Sequence, residues 1–281
     1  MENLKSKIAV LLLICVFSGC DKFELRGFFT SYENANERFQ ESNDWNNQHG
    51  YTEINISSSS YTINAFGDSH VGGTENLDTF FETSQDENVT AVVMAGDITT
   101  GHKDDYDVFE MHLPLLESLP FFATAGNHDL YFDGWQHFYS IFGSSTYFFV
   151  VNTPGQSDLF ICLDTGSGTL GSKQLKWFKA LLESSRDNYR YCVVFTHNNL
   201  FRFRPTTSTS PMVEEIQVLL DLFLKHDVNM VVTAHDHKRN YDILGNTVHI
   251  IMDALLDEND EASYLKLSVS EEKIDYSFVD L

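Results

Sequence analysis

The chain has 281 residues, of which 41 are acidic and 18 basic, giving a formal charge of −23. Such a surface repels phosphate polymers and anionic headgroups, which disfavours nucleic-acid binding and any purely electrostatic hold on a membrane. With only four cysteines, a disulfide-stapled scaffold is excluded as well.

The N-terminus carries Lys5 and Lys7, then an apolar run over 8–17, then Ser18-Gly19-Cys20. The run is too short to span a bilayer, whereas a charged start, a short apolar core and small residues form the layout of a secretory signal. Phe17-Ser18-Gly19-Cys20 also resembles the bacterial lipobox, with Phe where Leu is commoner. That resemblance implies removal of residues 1–19 as a lipoprotein signal peptide and lipidation of Cys20. The protein is then expected to be exported and held in the cell envelope by its lipid anchor alone. An ordinary signal peptide followed by a chance cysteine is the alternative. Residues 20–58, polar and rich in Asn, Glu and Ser, read as a tether containing one short helix near 33–40. This leaves 59–281 as a single folded domain.

From residue 61 onward, short apolar runs lie at 61–66, 89–95, 119–123, 159–163, 191–196, 228–234 and 248–252. Segments of helical periodicity lie between them, at 74–83, 104–118, 134–142, 172–184 and 212–225. Strands alternating with helices predict an α/β architecture. Period-two alternation over 264–269 and 273–278, around Glu271-Glu272, predicts a closing hairpin. Cys162 and Cys192 sit inside apolar runs and read as buried thiols.

In α/β sheets, ligands gather at the carboxyl ends of strands. Five polar clusters follow apolar runs in this way: Gly67-Asp68-Ser69-His70, Gly96-Asp97-Ile98, Gly126-Asn127-His128-Asp129, Thr196-His197 and Ala234-His235-Asp236-His237. Singly, each reads as a polar turn after a strand. Together they supply neutral oxygen, carboxylate and imidazole ligands, the parts for metal-assisted phosphoryl chemistry. Within the third cluster, the Asp129 carboxylate is placed to hold the His128 imidazole in one orientation.

This ordered set resembles the calcineurin-like metallophosphoesterase superfamily, from about residue 61 to at least His237. The resemblance implies two mixed β-sheets packed face to face and flanked by helices, with a two-metal site at the strand ends. It gives Asp68, His70 and His237 to one metal, Asn127, His197 and His235 to the other, and Asp97 to both as a bridge. His128 becomes the proton donor, supported by Asp129. In the purple acid phosphatases of the superfamily a Tyr stands three residues after the bridging Asp; here that position is Thr100, so no tyrosinate-to-iron bond is expected.

Two divalent ions carry about four positive charges and Asp68 and Asp97 only two negative ones, so the site keeps positive charge for a phosphate oxygen. The implied reaction is hydrolysis of a phosphate ester, with a phosphodiester favoured over a phosphomonoester, by a metal-bridging hydroxide with His128 protonating the leaving group. Mixed nitrogen and oxygen ligands suit Mn, Fe, Zn or Co. A reading of another class is an envelope lipoprotein that binds metal without turnover. For the substrate, a small phosphate ester, the candidate contacts are Arg202 and Arg204, in the loop after His197, and His102, shortly after Asp97. Asp164, which ends the run at 159–163, reads as a loop anchor rather than a ligand.

Overall fold

The computed structural model describes residues 32–71, 73–200, 213–257 and 259–281. The signal segment, Cys20, Arg202 and Arg204 lie outside the described residues. Among the described residues no helix is long and apolar enough to cross a membrane.

Among the described residues, six α-helices and twelve strands follow in chain order. They are α1 (Ala35–His49), β1 (Thr52–Asn55), β2 (Tyr61–Phe66), α2 (Glu75–Asp86), β3 (Ala91–Ala95), α3 (Lys103–His112), β4 (Phe121–Thr124), α4 (Trp135–Phe142) and β5 (Tyr147–Thr153). The second half holds β6 (Gln156–Leu163), α5 (Gly171–Ser185), β7 (Cys192–Thr196), α6 (Val213–Lys225), β8 (Met230–Thr233), β9 (Asn240–Leu244), β10 (Thr247–Ile251), β11 (Ser263–Val269) and β12 (Ile274–Asp280). A seven-stranded sheet runs β1-β5-β6-β7-β8-β10-β9 and a five-stranded sheet runs β12-β11-β2-β3-β4. Both are mixed: β2-β3-β4 and β6-β7-β8-β10 pair in parallel, while β11-β12 and β5-β6 are antiparallel.

The strand pattern explains the face-to-face packing. On β3, Ala91, Val93 and Ala95 face the seven-stranded sheet, while Val92 and Met94 join the helix-covered cluster on the other side. Small residues on this face leave room for Phe149, Phe160 and Phe195 from the opposite sheet. Phe122 of the smaller sheet stacks on Phe149 of the larger at 3.7 Å between ring centroids. Helices α2 and α4 cover the outer face of the smaller sheet and α5 and α6 that of the larger, each with its own apolar cluster. Cys162 and Cys192 are free, buried thiols, and burial pushes both up to about 12.

The expected tether over 20–58 is corrected from residue 35 onward, because α1 and β1 are parts of the fold. The buried stripe of α1 is Ala35, Arg38, Phe39, Ser42 and Asn46, at helical spacing but mostly polar, so no apolar period marks it. Each polar member has a buried partner instead. Arg38 pairs with Asp164, Ser42 Oγ accepts the Ser145 N–H, and the Asn46 amide donates to the Thr146 carbonyl. Asn34 and Glu37 form a capping box at the helix start. Strand β1 extends the larger sheet by pairing in parallel with β5, Thr52 opposite Phe149. Helix α3 is shorter than expected and stops at His112, since Leu113 precedes Pro114 and adopts an extended conformation.

A chain starting at residue 32 is expected to unfold cooperatively. One starting at 59 leaves Asp164 buried without Arg38 and should be less stable by at least about 3 kcal/mol. Urea melts compare the two, and equal midpoints would restore the tether.

Candidate metal centre

The five polar clusters converge where the carboxyl ends of β2, β3 and β4 meet those of β7 and β8. Beyond β2 and β3 the backbones stay paired: Asp68, His70 and Val71 donate to the carbonyls of Gly96, Asp97 and Ile98 at 3.0, 3.0 and 3.1 Å. The close approach admits no side chain at Gly126, where an added Cβ would stand 2.2 Å from Asp97 Oδ1. Asp68, His70, Asp97, His235 and His237 all have left-handed backbone, with φ of 55°, 40°, 51°, 72° and 55°. Non-glycine residues in this region cost on the order of 1–3 kcal/mol each, and they gather at functional sites.

The side chains form two contiguous groups. Asp68 is fully buried, with Oδ2 accepting the His235 N–H at 2.7 Å and Oδ1 making no hydrogen bond. That free oxygen lies 3.4 Å from His237 Nε2 and 3.7 Å from His70 Nε2, and these two nitrogens are 3.2 Å apart. Asp97 repeats the pattern. Its Oδ1 accepts the His128 N–H at 2.7 Å, and its buried Oδ2 makes no well-aligned hydrogen bond although His197 Nε2 is 3.2 Å away. His197 Nε2 is also 3.2 Å from Asn127 Oδ1 and 3.0 Å from His235 Nδ1. The other nitrogen of His197 is occupied, since Nδ1 donates to the Ala95 carbonyl at 3.0 Å. In the neutral tautomer this leaves Nε2 as a lone pair facing two acceptor oxygens, Asn127 Oδ1 and Asp97 Oδ2, which either a proton on Nε2 or a metal cation among them satisfies.

Metal-ligating atoms lie within 4.8 Å of one another in three overlapping sets: Asp68-His70-His237, His70-Asp97-His128 and Asp97-His197-His235. These sets hold six of the seven residues expected as ligands, with Asp97 in two of them and His128 joining one, and the seventh, Asn127, has its Oδ1 3.2 Å from His197 Nε2. The electrostatics agree with a cation site. Burial by itself would raise the Asp68 and Asp97 carboxyls, but neighbouring histidines, His237 for Asp68 and His197 for Asp97, hold both below the usual range. Burial would lower His197, but Asp97 and Asp68 push it up to about 9. His70, where burial dominates, falls to about 4.

His128 stands at the edge of this group, its ring edge-on to His70 at 4.4 Å and its Nε2 3.9 Å from Asp97 Oδ2. The expected support of the His128 ring by Asp129 is corrected. Asp129 Oδ2 accepts the Gly126 N–H at 2.8 Å, and Oδ1 accepts the Thr99 N–H at 2.9 Å and its hydroxyl at 3.3 Å. Its carboxylate therefore ties the loops after β3 and β4 together instead of touching the imidazole. Burial, reinforced by the charge of Asp97, pushes Asp129 up to about 7.

Tyr131 is a participant missed in the sequence. Its hydroxyl accepts from Asn127 Nδ2 at 3.1 Å, which fixes the amide so that Oδ1 faces His197, and its ring lies 4.7 Å from that of His128. A hydroxyl-bearing aromatic four residues after the amide was the available signal. His102 does not join the cluster; its ring stacks on Phe132 at 3.9 Å. Asp164 is the anchor expected, and Arg38 is its partner.

Asp129→Asn places an amide N–H against a backbone N–H donor and should cost about 1–3 kcal/mol of stability. If Asp129 acts on the loops, the losses of turnover in His128→Ala and Asp129→Asn multiply in the double variant. A double variant no worse than His128→Ala would return Asp129 to the role of orienting that ring.

Solved structures share the fold. A dimetal phosphatase from Danio rerio superposes with a TM-score of 0.58 at 14% identity, over 78% of this chain and 96% of that one. The anchor in the inner membrane complex of Plasmodium superposes with a TM-score of 0.61 at 13% identity, over 79% and 85%. PhoD gives a TM-score of 0.56 at 13% identity, over 79% and 69%. No curated protein matches the chain in sequence. Residues 61–239, which hold all five polar clusters, match the calcineurin-like phosphoesterase family, and the chain belongs to it.

Proposed function

We propose that the protein is a binuclear metal-dependent phosphoesterase that acts on phosphodiesters. The observation that carries this reading is the pair of buried carboxylate oxygens, Asp68 Oδ1 and Asp97 Oδ2, that lack hydrogen bonds yet face converging imidazole nitrogens. A buried carboxylate oxygen in that state is costly unless a cation meets it. Asp68, His70 and His237 would hold one ion, Asn127, His197 and His235 a second, with Asp97 shared. Bound there, the metals supply Lewis-acid polarisation of the phosphoryl group and activation of water.

The chain's own residues complete the chemistry. Asp97 fixes the backbone of His128 through the 2.7 Å bond to its N–H, which keeps the imidazole beside the shared carboxylate. From there His128 donates a proton to the departing alkoxide, since an unprotonated alkoxide leaves poorly. The preference for diesters rests on the Gly126-Asn127-His128-Asp129 motif and the compact catalytic region. A second reading, metal binding without turnover, draws on the anchor role named for one fold neighbour. Retention of His128 beside a full ligand set weighs against it.

Asp97→Asn should lower bound metal from about two equivalents and abolish turnover, read by elemental analysis alongside a panel of phosphomonoesters and phosphodiesters. Two bound metals with no hydrolysis of any ester in the panel would favour the binding reading. His128→Ala should keep its metals and lose about 10²- to 10⁴-fold on alkyl esters, but distinctly less on nitrophenyl esters, whose leaving group needs little protonation. Equal losses on both would contradict the proton-donor role.

A further inference from the structure

Helix α1 lies ahead of the region that matches the family, yet it reaches the supports of the metal centre along two routes. On the first, Arg38 forks onto Asp164, Nε to Oδ2 at 2.8 Å and Nη2 to Oδ1 at 3.1 Å, with the side chains 1% and 2% exposed. Asp164 Oδ1 also accepts the Gly166 N–H at 3.0 Å, which fixes the turn after β6. That turn is a wedge. On one side a Cβ on Gly166 would stand 2.7 Å from the Gly126 carbonyl oxygen, so the two backbones are in direct contact. On the other, the Thr165 hydroxyl meets that of Thr196 at 2.8 Å and accepts the Asn198 N–H at 2.9 Å.

Gly126 precedes Asn127, while Thr196 and Asn198 flank His197. The wedge therefore sets the 3.2 Å separation of Asn127 Oδ1 and His197 Nε2. The second route ends nearby: Ser42 Oγ accepts the Ser145 N–H at 3.1 Å, and Ser145 Oγ accepts the N–H of Ala125, just ahead of Gly126, at 2.8 Å. The side-chain hydrogen bonds described for α1 end on the segments at 33–49, 135–146 and 164–173, away from the loops of Asp68, His70 and His237.

We infer that α1 is a positioning element for one half of the metal centre, the cluster of Asn127, His197 and His235, and that it acts through the buried Arg38–Asp164 pair. This rests on the two-metal reading above. The cluster of Asp68, His70 and His237 is held by the sheet and its loops and is independent of α1.

The test is calorimetric titration of the chelator-stripped protein, α1 included, with Mn²⁺ or Zn²⁺ alone, accompanied by thermal melts. Wild type should bind in two steps, and His237→Ala identifies the step that belongs to the other cluster. Arg38→Met should weaken the Asn127–His197–His235 step by about 10- to 100-fold, the range for lost outer-shell support, and leave the other step nearly unchanged. Arg38→Lys, which keeps the charge but not the fork, should fall between. Arg38→Met with Asp164→Leu removes the stranded carboxylate, so the melting temperature should recover while the weakened step does not. This combination also carries the test if Arg38→Met alone fails to fold. Equal weakening of both steps, weakening of neither, or an affinity that recovers together with the melting temperature would overturn the inference. A wild type that binds fewer than two metals would instead overturn the two-metal reading on which it stands.

Discussion

The structure depends on how two carboxylates are buried. Asp68 and Asp97 each satisfy one oxygen with a backbone N–H from another loop and present the other, without a hydrogen bond, to imidazole nitrogens. Removing a carboxylate from water costs several kcal/mol, and a single hydrogen bond does not offset it. The histidines around them lower that cost when they carry protons, as the upward shift of His197 shows. A metal ion lowers it further, because it replaces a proton that only one of several converging atoms can own. The centre is therefore built for cations, and the surrounding backbone is shaped to keep the acceptors pointed at one another.

That shaping joins the two sheets. The smaller sheet delivers Asp68, His70, Asp97 and Asn127, and the larger delivers His197, His235 and His237. Polar bonds cross between them at this end: the His235 N–H to Asp68, and His197 Nδ1 to the Ala95 carbonyl. At the opposite end another buried network does the same, with the Tyr61 hydroxyl on Asp158 at 2.7 Å and Arg190 forked onto that carboxylate at 3.0 and 2.6 Å. Between these poles the contact is apolar and aromatic. Apolar packing tolerates small slides that hydrogen bonds to buried carboxylates do not, so the polar ends fix the registration of the sheets and with it the ligand geometry.

The strands that carry ligands were legible because each ends in a polar cluster at the same pole. Strands β1, β5 and β9 were not. β5 runs antiparallel to β6, so its carboxyl end points away from the site and carries no such cluster, and β1 lies parallel to it. β9 is an exposed edge strand, antiparallel to β10. The start of helix α1 was legible as a short helix near 33–40, but its length and its docking were not, because its buried face is built from Arg38, Ser42 and Asn46, whose partners lie about a hundred residues or more away, and periodicity records apolarity rather than satisfied polarity. The same limit explains Asp129. Adjacency to His128 suggests a contact, but the turn sends the carboxylate inward to Gly126 and Thr99. Residue types and strand-end placement are local properties and could be read; the direction of a side chain off a tight turn is not.

The charge of −23 sets the last relation between site and surface. At long range the protein repels any phosphate ester, yet the Debye length at physiological salt is only about 8 Å, so most of that repulsion is screened before the substrate reaches the cleft. At the metal centre the balance would reverse. If two divalent ions are held, as proposed, their charge would outnumber the centre's two carboxylates, and the remaining side chains of the ligand set are neutral when they coordinate metal. Attraction is thus confined to the few ångströms where the chemistry occurs. An extended polyanion would have to bring its remaining phosphates against the acidic surface, whereas a small ester would present its charge to the centre alone.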